Sequence, residues 1–183
     1  FAQRFATAFG TPNVITPGWC CGVPSGMAST LTYGWNVVPD EEHPSKMVVL
    51  WAVNNNNTAS GMRREALERS LASGAKLIVV DPRKIDVASI ADLWVRPRPN
   101  SDGALAMGLL KVIVEKELYD KNYVRDWCDG FDKLVEEVKT FTLKDVENVT
   151  WVPEKAIREF AEMYATTKPA TINWGNALDT TFL

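Results

Sequence analysis

Two short apolar segments constrain this chain more than any other feature of its sequence. Residues 47–53 read Met-Val-Val-Leu-Trp-Ala-Val and residues 76–80 read Lys-Leu-Ile-Val-Val, each of strand length. Continuous apolar runs of this kind are typical of strands that are buried on both faces of a parallel sheet. The more polar stretch between them, about 61–73, predicts a helix, so the three segments together predict a strand–helix–strand unit.

The remaining pattern continues this alternation of strands and helices. Short strands are predicted at 93–95 and 170–174, with an amphipathic helix at 103–116 between them. Further helices are predicted at 84–90, 120–127, 131–139 and 153–166. The sequence therefore predicts an α/β fold, a Rossmann-like three-layer domain with a mainly parallel sheet flanked by helices.

Composition and charge narrow the class of protein. The chain has 183 residues, with 20 Lys and Arg against 23 Asp and Glu, and no long basic run, so nucleic-acid binding is not expected. No apolar run approaches the ~20 residues that span a bilayer, so membrane insertion is not expected either. The sequence lacks a starting Met and begins inside a predicted helix. We therefore expect a piece of a larger protein, cytoplasmic or exported, whose address signal would precede Phe1.

Polar side chains follow the predicted strands, where an open parallel sheet binds its ligands. The segment 54–60 precedes a helix N-terminus, whose free N–H groups favour a phosphate. A carboxylate at Asp81 can accept both hydroxyls of a ribose, and Asp102 can accept from the paired N–H groups of a guanine edge. The set resembles a dinucleotide site. Its candidate binding residues are Asn54, Asn55, Ser60, Asp81, Pro82, Arg83, Asp102, Gly175 and Asn176.

Each of these positions also has a purely structural interpretation. The asparagine run 54–57 suits a turn, because Asn tolerates left-handed backbone and caps helices. Asp81, before a proline, can simply end its strand. Either Ser101 or Asp102 can be the N-cap of the next helix, and capping by Asp102 does not exclude ligand binding. The glycine fingerprint G-x-G-x-x-G is missing. The residues alone leave both interpretations open.

The adjacent pair Cys20-Cys21 is a second unusual feature. It lies between Pro17-Gly18 and Gly22, in a stretch too irregular for a core. A thiolate is a nucleophile or a ligand for soft metals. A vicinal disulfide, which would be strained, is the other interpretation of two adjacent cysteines. Structural zinc needs about four ligands, whereas the chain adds only Cys128, which we interpret as a core residue, and His43, which we expect to be exposed. The pair therefore indicates chemistry other than structural zinc.

Residues 9–24 read FGTPNVITPGWCCGVP, and further distinctive segments occur at 76–83, 91–105, 118–124, 151–157 and 172–176. In order and spacing, this series resembles the molybdopterin oxidoreductases of the dimethyl sulfoxide reductase family, whose metal-ligand loop the first segment matches. Each piece is weak alone, but the ordered series is specific and covers nearly the whole chain.

The resemblance implies a catalytic subunit that holds molybdenum or tungsten between two pyranopterin guanine dinucleotides, of the kind used in anaerobic respiration. The chain would be one α/β domain, 1–183, with a metal-ligand loop region at 1–45 and a nucleotide-binding core at 46–183. An iron–sulfur region would precede it, and a barrel would follow. The implied partners are the remaining domains of the same polypeptide, an iron–sulfur electron-transfer subunit and a small-molecule substrate.

Within this resemblance, a cysteine is the protein ligand to the metal. Counting from Pro17-Gly18 places the ligand at Cys21, the implied catalytic residue, and Cys20 is the alternative because one residue of slip exchanges them. Cysteine ligation is similar to that of formate dehydrogenases, periplasmic-type nitrate reductases, polysulfide or thiosulfate reductases and hydratases, and the Pro-Gly loop leans toward the sulfur-compound and hydratase side. Ser25 stands where many relatives have an arginine, so the substrate class is left open.

The resemblance also assigns the acids. Asp81 matches the family's ribose-region acid, Asp102 matches the guanine-facing acid, and Arg83 lies close to the same nucleotide. One departure concerns the turn after the first strand, where the family's Gly-x-Asn-Pro is Ala52-Val53-Asn54-Asn55. Two other functions stay open: a Rossmann-type domain for an NAD-like nucleotide, disfavoured by the missing glycine fingerprint, and a non-catalytic interaction module.

Overall fold

The two apolar runs of the sequence form adjacent central strands of a four-stranded parallel sheet. In chain order the strands are β1 (Met47–Trp51), β2 (Lys76–Val80), β3 (Leu93–Val95) and β4 (Ala170–Trp174). Their order in the sheet is β3-β2-β1-β4, and every neighbouring pair is parallel. All five residues of β1 are buried, as expected for a strand covered on both faces. The predicted α/β class is confirmed.

The computed structural model describes residues 1–14, 18, 22–35, 40, 42–54 and 61–178. The chain divides into two compact units, Phe1–Val38 and Pro39–Leu183. The first unit holds helices α1 (Ala2–Phe9) and α2 (Gly22–Tyr33). Within the described ranges, the second unit adds to the sheet a 3-10 turn at Asp86–Ser89 and the helices α3 (Gly61–Ala72), α4 (Asp102–Glu115), α5 (Lys121–Trp127), α6 (Phe131–Glu137), α7 (Leu143–Thr150) and α8 (Glu154–Thr166).

Alternate residues of the central strands enter two separate hydrophobic layers. On one face, Met47, Val49 and Trp51 pack in a cluster with buried residues of α4, α7 and α8. On the other face, Val48 and Leu50 pack in a second cluster with α3 and the segment 85–88. Because both sets are apolar, β1 shows no polar alternation in the sequence. The two layers cover the faces of the sheet and leave the ends of its strands for ligands.

The main difference from the sequence prediction is α7, which the hydrophobic pattern does not predict. A capping box begins this helix. The Thr142 hydroxyl accepts from the Asp145 amide at 3.1 Å, and the Asp145 carboxylate accepts from the Thr142 amide at 2.7 Å. The spacing Thr-x-x-Asp is the sequence signature that identifies such a start. Elsewhere, the helix predicted at 84–90 is only the 3-10 turn, and the one predicted at 131–139 ends at Glu137.

Thr142→Ala is expected to destabilise the protein by about 1 kcal/mol at neutral pH, since it removes an N-cap. The pKa of Asp145 is lowered, first because the Thr142 hydroxyl donates to its carboxylate and second because the Thr142 amide does. A lowered folded-state pKa adds stability that is present above the unfolded value of 3.8 and is lost as pH falls through the folded value. Urea unfolding at neutral and acid pH should therefore show a smaller wild-type advantage in acid.

The control for this prediction is Thr140→Ala. The Thr140 hydroxyl donates to the Glu137 carbonyl and caps no helix start. Loss of this hydroxyl should lower the free energy of unfolding only slightly, and by the same amount at both pH values. A wild-type advantage over Thr142→Ala that grows toward acid pH would contradict the assignment of the pKa shift to this capping box.

Two residues discussed for metal binding lie at the surface. The interpretation of Cys128 as a core residue is wrong, because the side chain is exposed directly after α5, a seven-residue helix without buried residues. His43 is exposed, as expected, and its Nδ1 lies 3.0 Å from Asp40 Oδ2. No helix in the described ranges combines the length and the apolar character that crossing a membrane requires.

Candidate functional site

The predicted binding residues that the structure describes collect where the strands end, at what we call the carboxyl edge of the sheet. Since all four strands are parallel, the segments that follow them emerge at this one edge. Backbone hydrogen bonds continue the sheet there: the Gly175 amide donates to the Trp51 carbonyl at 2.9 Å, and the Asp81 amide donates to the Val95 carbonyl at 3.1 Å. The hydrogen bonding of the sheet therefore continues past the strand ends at these two points.

Asp102 is the first residue of α4, and a tryptophan holds its carboxylate. The indole N–H of Trp51, the last residue of β1, donates to Asp102 Oδ1 at 2.7 Å. The N-cap is Ser101, whose hydroxyl instead donates to the Arg98 carbonyl. The structural interpretation of Asp102 as the N-cap is therefore wrong. A carboxylate offers about four acceptor sites, so the half-buried Asp102 can accept further donors besides Trp51.

Asp81 is the buried acid of the carboxyl edge, with 8% of its surface exposed. Its Oδ1 accepts from the Arg83 amide at 2.7 Å and so closes the turn after β2. Its backbone carbonyl accepts the indole N–H of Trp94 at 3.0 Å. Asp81 thus ends its strand, as the structural interpretation predicts. This turn and ligand binding remain compatible, because Oδ1 alone forms the turn.

The segments after β1 and β4 touch through their backbones. Ala52 has a φ of 52°, in the left-handed region that favours glycine. A Cβ atom added to Gly175 would lie 1.9 Å from the Ala52 carbonyl oxygen. Glycine is therefore required at 175 by close backbone approach, and this contact fixes the position of the following Asn176, which is exposed. The half-buried Asn54 follows Ala52 on the other segment.

Ala52→Gly is expected to stabilise the protein, by up to about 1 kcal/mol. A left-handed conformation costs an L-residue roughly 1–2 kcal/mol, which glycine avoids, and the larger unfolded-state entropy of glycine offsets part of that gain. The control is Ala66→Gly within α3, which should instead destabilise by roughly 1 kcal/mol. Chemical denaturation of the two variants measures both values. A loss of stability in Ala52→Gly would be inconsistent with the φ of residue 52.

Four basic side chains give the carboxyl edge a local positive charge. They are all exposed and belong to the loops that follow β2 and β3: Arg83, Lys84, Arg96 and Arg98. Two of them lie over indole rings, with Lys84 Nζ 5.8 Å from the centre of Trp94 and the Arg98 guanidinium 5.8 Å from that of Trp151. Exposed cations next to carboxylate acceptors suit a ligand that carries both phosphates and hydroxyl or N–H groups.

A cleft of about 710 Å³ opens at the same edge, beside β3. This volume falls within the range of ~300–1,000 Å³ that is usual for small-molecule sites. The lining residues are Pro82, Trp94, Val95, Arg96, Pro97, Pro99, Trp151, Val152, Pro153 and Ala156. The cleft thus begins at one predicted binding residue, Pro82, and extends along the edge strand.

Not every predicted site residue lies in the part of the chain that the structure describes. Cys20, Cys21, Asn55 and Ser60 lie outside the described residues. Among the described residues, no group of three or more His, Cys, Asp or Glu side chains is arranged to hold a metal ion. The sequence pattern does not predict Trp51 as the partner of an acid. An aromatic residue at the last position of an aliphatic strand is the one sequence feature that sets it apart.

The chain is similar to known proteins in both sequence and structure. The family model "Molybdopterin oxidoreductase" matches residues 1–179. Acetylene hydratase of Syntrophotalea acetylenica is 33% identical over 178 residues, which are 97% of this chain and 24% of the relative. Formate dehydrogenase H of Escherichia coli (strain K12) is 43% identical over 103 residues, which are 56% of this chain and 14% of the relative.

The similarity extends to a solved structure. The solved structure of acetylene hydratase from Pelobacter acetylenicus superposes with a TM-score of 0.81 at 32% identity, over 97% of this chain and 24% of that one. The chain therefore spans about a quarter of the length of this relative.

Proposed function

This chain belongs to the molybdopterin oxidoreductase family, and from that premise we propose that its carboxyl edge binds the nucleotide half of one pyranopterin guanine dinucleotide. We further propose that Cys21 is the protein ligand to molybdenum or tungsten, with Cys20 as the alternative. The whole protein is proposed to be an oxidoreductase that depends on a bis(pyranopterin guanine dinucleotide) cofactor, with an iron–sulfur cluster in a preceding region. Its proposed partners are the other domains of the same polypeptide, an iron–sulfur subunit and a small-molecule substrate.

The observation that carries this proposal is the meeting of two carboxylates and four cations at one edge. Asp81 directly follows β2, and Asp102 contacts the last residue of the adjacent strand β1. The loops after β2 and β3 hold the exposed basic side chains. Carboxylates accept the hydroxyls of a ribose and the paired N–H groups of guanine, and cations bind the phosphates that join the two halves of a dinucleotide. This combination of carboxylate acceptors and cations therefore fits the nucleotide half of the cofactor.

Each residue has a binding task in this proposal. Asp81 accepts from the ribose hydroxyls, Asp102 accepts from the guanine, and Arg83 neutralises a phosphate. The thiolate of Cys21 is a soft donor, as molybdenum and tungsten prefer. When bound, the cofactor supplies the redox chemistry, by oxygen-atom or proton-coupled transfer, while the protein positions and tunes it.

The other predicted binding residues act through the backbone. Asn54, Asn55 and Ser60 precede α3, whose N-terminal N–H groups favour a phosphate. Pro82 shapes the turn after β2. Gly175 places the segment after β4, which continues with Asn176, against the segment after β1, so the chain can approach the cofactor closely.

The similarity to acetylene hydratase over 97% of the chain favours a second candidate, a hydration reaction at the same kind of metal centre. The two candidates differ in electron balance, because hydration transfers no net electrons and oxidation of formate does. Full-length protein that oxidises formate with a viologen dye as acceptor supports the oxidoreductase. Protein that forms acetaldehyde from acetylene, without a change in the dye, supports the hydratase.

Metal and nucleotide analysis of the full-length protein tests the cofactor proposal. The expected result is molybdenum or tungsten together with two equivalents of GMP per metal after acid hydrolysis of the cofactor. Protein purified from cells that make the cofactor but containing neither metal nor pterin would overturn it, and would favour an NAD-like nucleotide or an interaction role. The 183 residues alone are expected to be inactive, since they would provide only part of the cofactor shell.

A further inference from the structure

Resting on the proposed function, we propose that Trp51 is a positioning residue for Asp102 and that this pair sets the preference of the site for guanine. The structural basis is the hydrogen bond from the Trp51 indole N–H to Asp102 Oδ1, at 2.7 Å. It joins the last residue of the central strand β1 to the first residue of α4. The pair thus links the carboxyl end of β1 to the first turn of α4.

Trp51 is itself held rigidly, so its indole can fix the position of another group. The residue is 7% exposed, and its ring packs in the hydrophobic cluster of one sheet face. The ring of Phe160, from α8, lies 5.9 Å away between centroids, tilted by 51°. Side chains in close-packed interiors sit in rotamer minima and interlock with their neighbours. The N–H of Trp51 therefore has one direction, set by β1 and α8.

Asp102 needs such a partner because its local surroundings would otherwise allow it to turn. An acid in the first helical turn can rotate toward the free N–H groups of its own helix. The bond to Trp51 holds Oδ1 instead, and no cap bond forms at this helix start. A carboxylate so fixed keeps acceptor capacity on both oxygens. The bond thus restrains the orientation of the carboxylate before the ligand arrives.

A fixed plane matters most for a ligand that donates two parallel N–H groups. Guanine presents its ring N1–H and its exocyclic N2–H side by side, and a carboxylate accepts both only in one orientation. Hypoxanthine has the same ring N–H and lacks the exocyclic group. The difference between GMP and IMP therefore reports on the orientation of the carboxylate and not on its charge alone.

The test uses the full-length protein prepared without cofactor and measures the affinities of GMP and IMP by calorimetry. Wild type is expected to prefer GMP at least about tenfold, the usual effect of one buried hydrogen bond. Trp51→Phe keeps the buried ring and removes the N–H donor, and it should bring the ratio close to one. Asp102→Asn should do the same, and the double variant should show no further loss.

Two further variants separate positioning from general loosening of the fold. Val112 is a fully buried residue of α4, so Val112→Ala opens a cavity in the core. This variant should have a lower Tm but keep the GMP preference. Asp102→Glu keeps the charge but displaces the carboxylate from Trp51, so it should lose the preference even if Trp51→Phe does not fold. If the loss of GMP preference instead parallels the decrease in Tm across all variants, the positioning role of Trp51 is overturned.

The outcomes also distinguish this inference from the function it rests on. Wild type that binds GMP and IMP equally would contradict guanine recognition at Asp102 and so the proposed function itself. Wild type that prefers GMP, with Trp51→Phe or Asp102→Glu equally selective, would overturn the role of Trp51 and leave the proposed function standing. A preference lost in Trp51→Phe and kept in Val112→Ala supports the inference.

Discussion

Replacing Cys21 with serine in the full-length protein is expected to abolish activity, while Cys20→Ser retains it. Loss of groups that merely support a metal ligand typically lowers affinity or activity 10–100-fold, so loss of the proposed ligand itself should lower turnover at least about 100-fold. Serine offers an oxygen in place of a soft thiolate, which changes the donor to the metal. The two variants form a matched pair, since each removes one thiol at adjacent positions of the sequence.

X-ray absorption at the molybdenum or tungsten edge measures this without knowledge of the substrate. The number of sulfur neighbours should fall by one in Cys21→Ser and stay unchanged in Cys20→Ser. Turnover, measured with whichever of formate, polysulfide or acetylene the wild type converts, should fall in the same variant. The reverse pattern would assign the ligand to Cys20, and equal tolerance of both changes would remove the cysteine ligand from the proposal.

The sheet was predictable because burial on both faces leaves a direct record in the sequence. The segments at 47–53 and 76–80 are apolar at every position that one or the other layer covers, so they indicate strands without any alternation. Helix α7 was not predictable from apolar spacing alone, because it is short and its start depends on the capping box. Cys128 shows the converse case. The apolar pattern around it predicts a buried helix face, but α5, which ends just before Cys128, has no buried residues.

The sequence predicts where the candidate site residues lie, but not the hydrogen bonds and contacts that hold them in place. Parallel strands bring Asp81, Asp102 and Gly175 to one edge by topology, so strand ends are sufficient to locate them. The bond between Trp51 and Asp102 joins residues 51 positions apart and leaves no periodic trace. The contact of Gly175 with Ala52 is likewise a product of tertiary packing, which local sequence patterns do not encode.

Gly175→Ala is expected to be the most destabilising single substitution at the carboxyl edge. The added Cβ would lie 1.9 Å from the Ala52 carbonyl oxygen and 2.8 Å from its carbonyl carbon, so backbone would have to move. Overpacking against side chains costs typically 1–3 kcal/mol and occasionally more, and backbone yields less readily than side chains. We therefore expect a loss of about 3 kcal/mol or more, or roughly 6–12 °C in the Tm of a domain of this size.

The control for steric contact is Gly74→Ala. Gly74 has a φ of 82° but nothing within 4 Å of an added Cβ, so alanine there carries only the conformational penalty of roughly 1–2 kcal/mol. Thermal unfolding of both variants separates the two effects, and equal losses would mean that the segments after β1 and β4 do not touch as described. Because these segments also carry Asn54 and Asn176, Gly175→Ala should weaken GMP binding to the cofactor-free protein as well, whereas Gly74→Ala, at the opposite end of α3, should leave it intact.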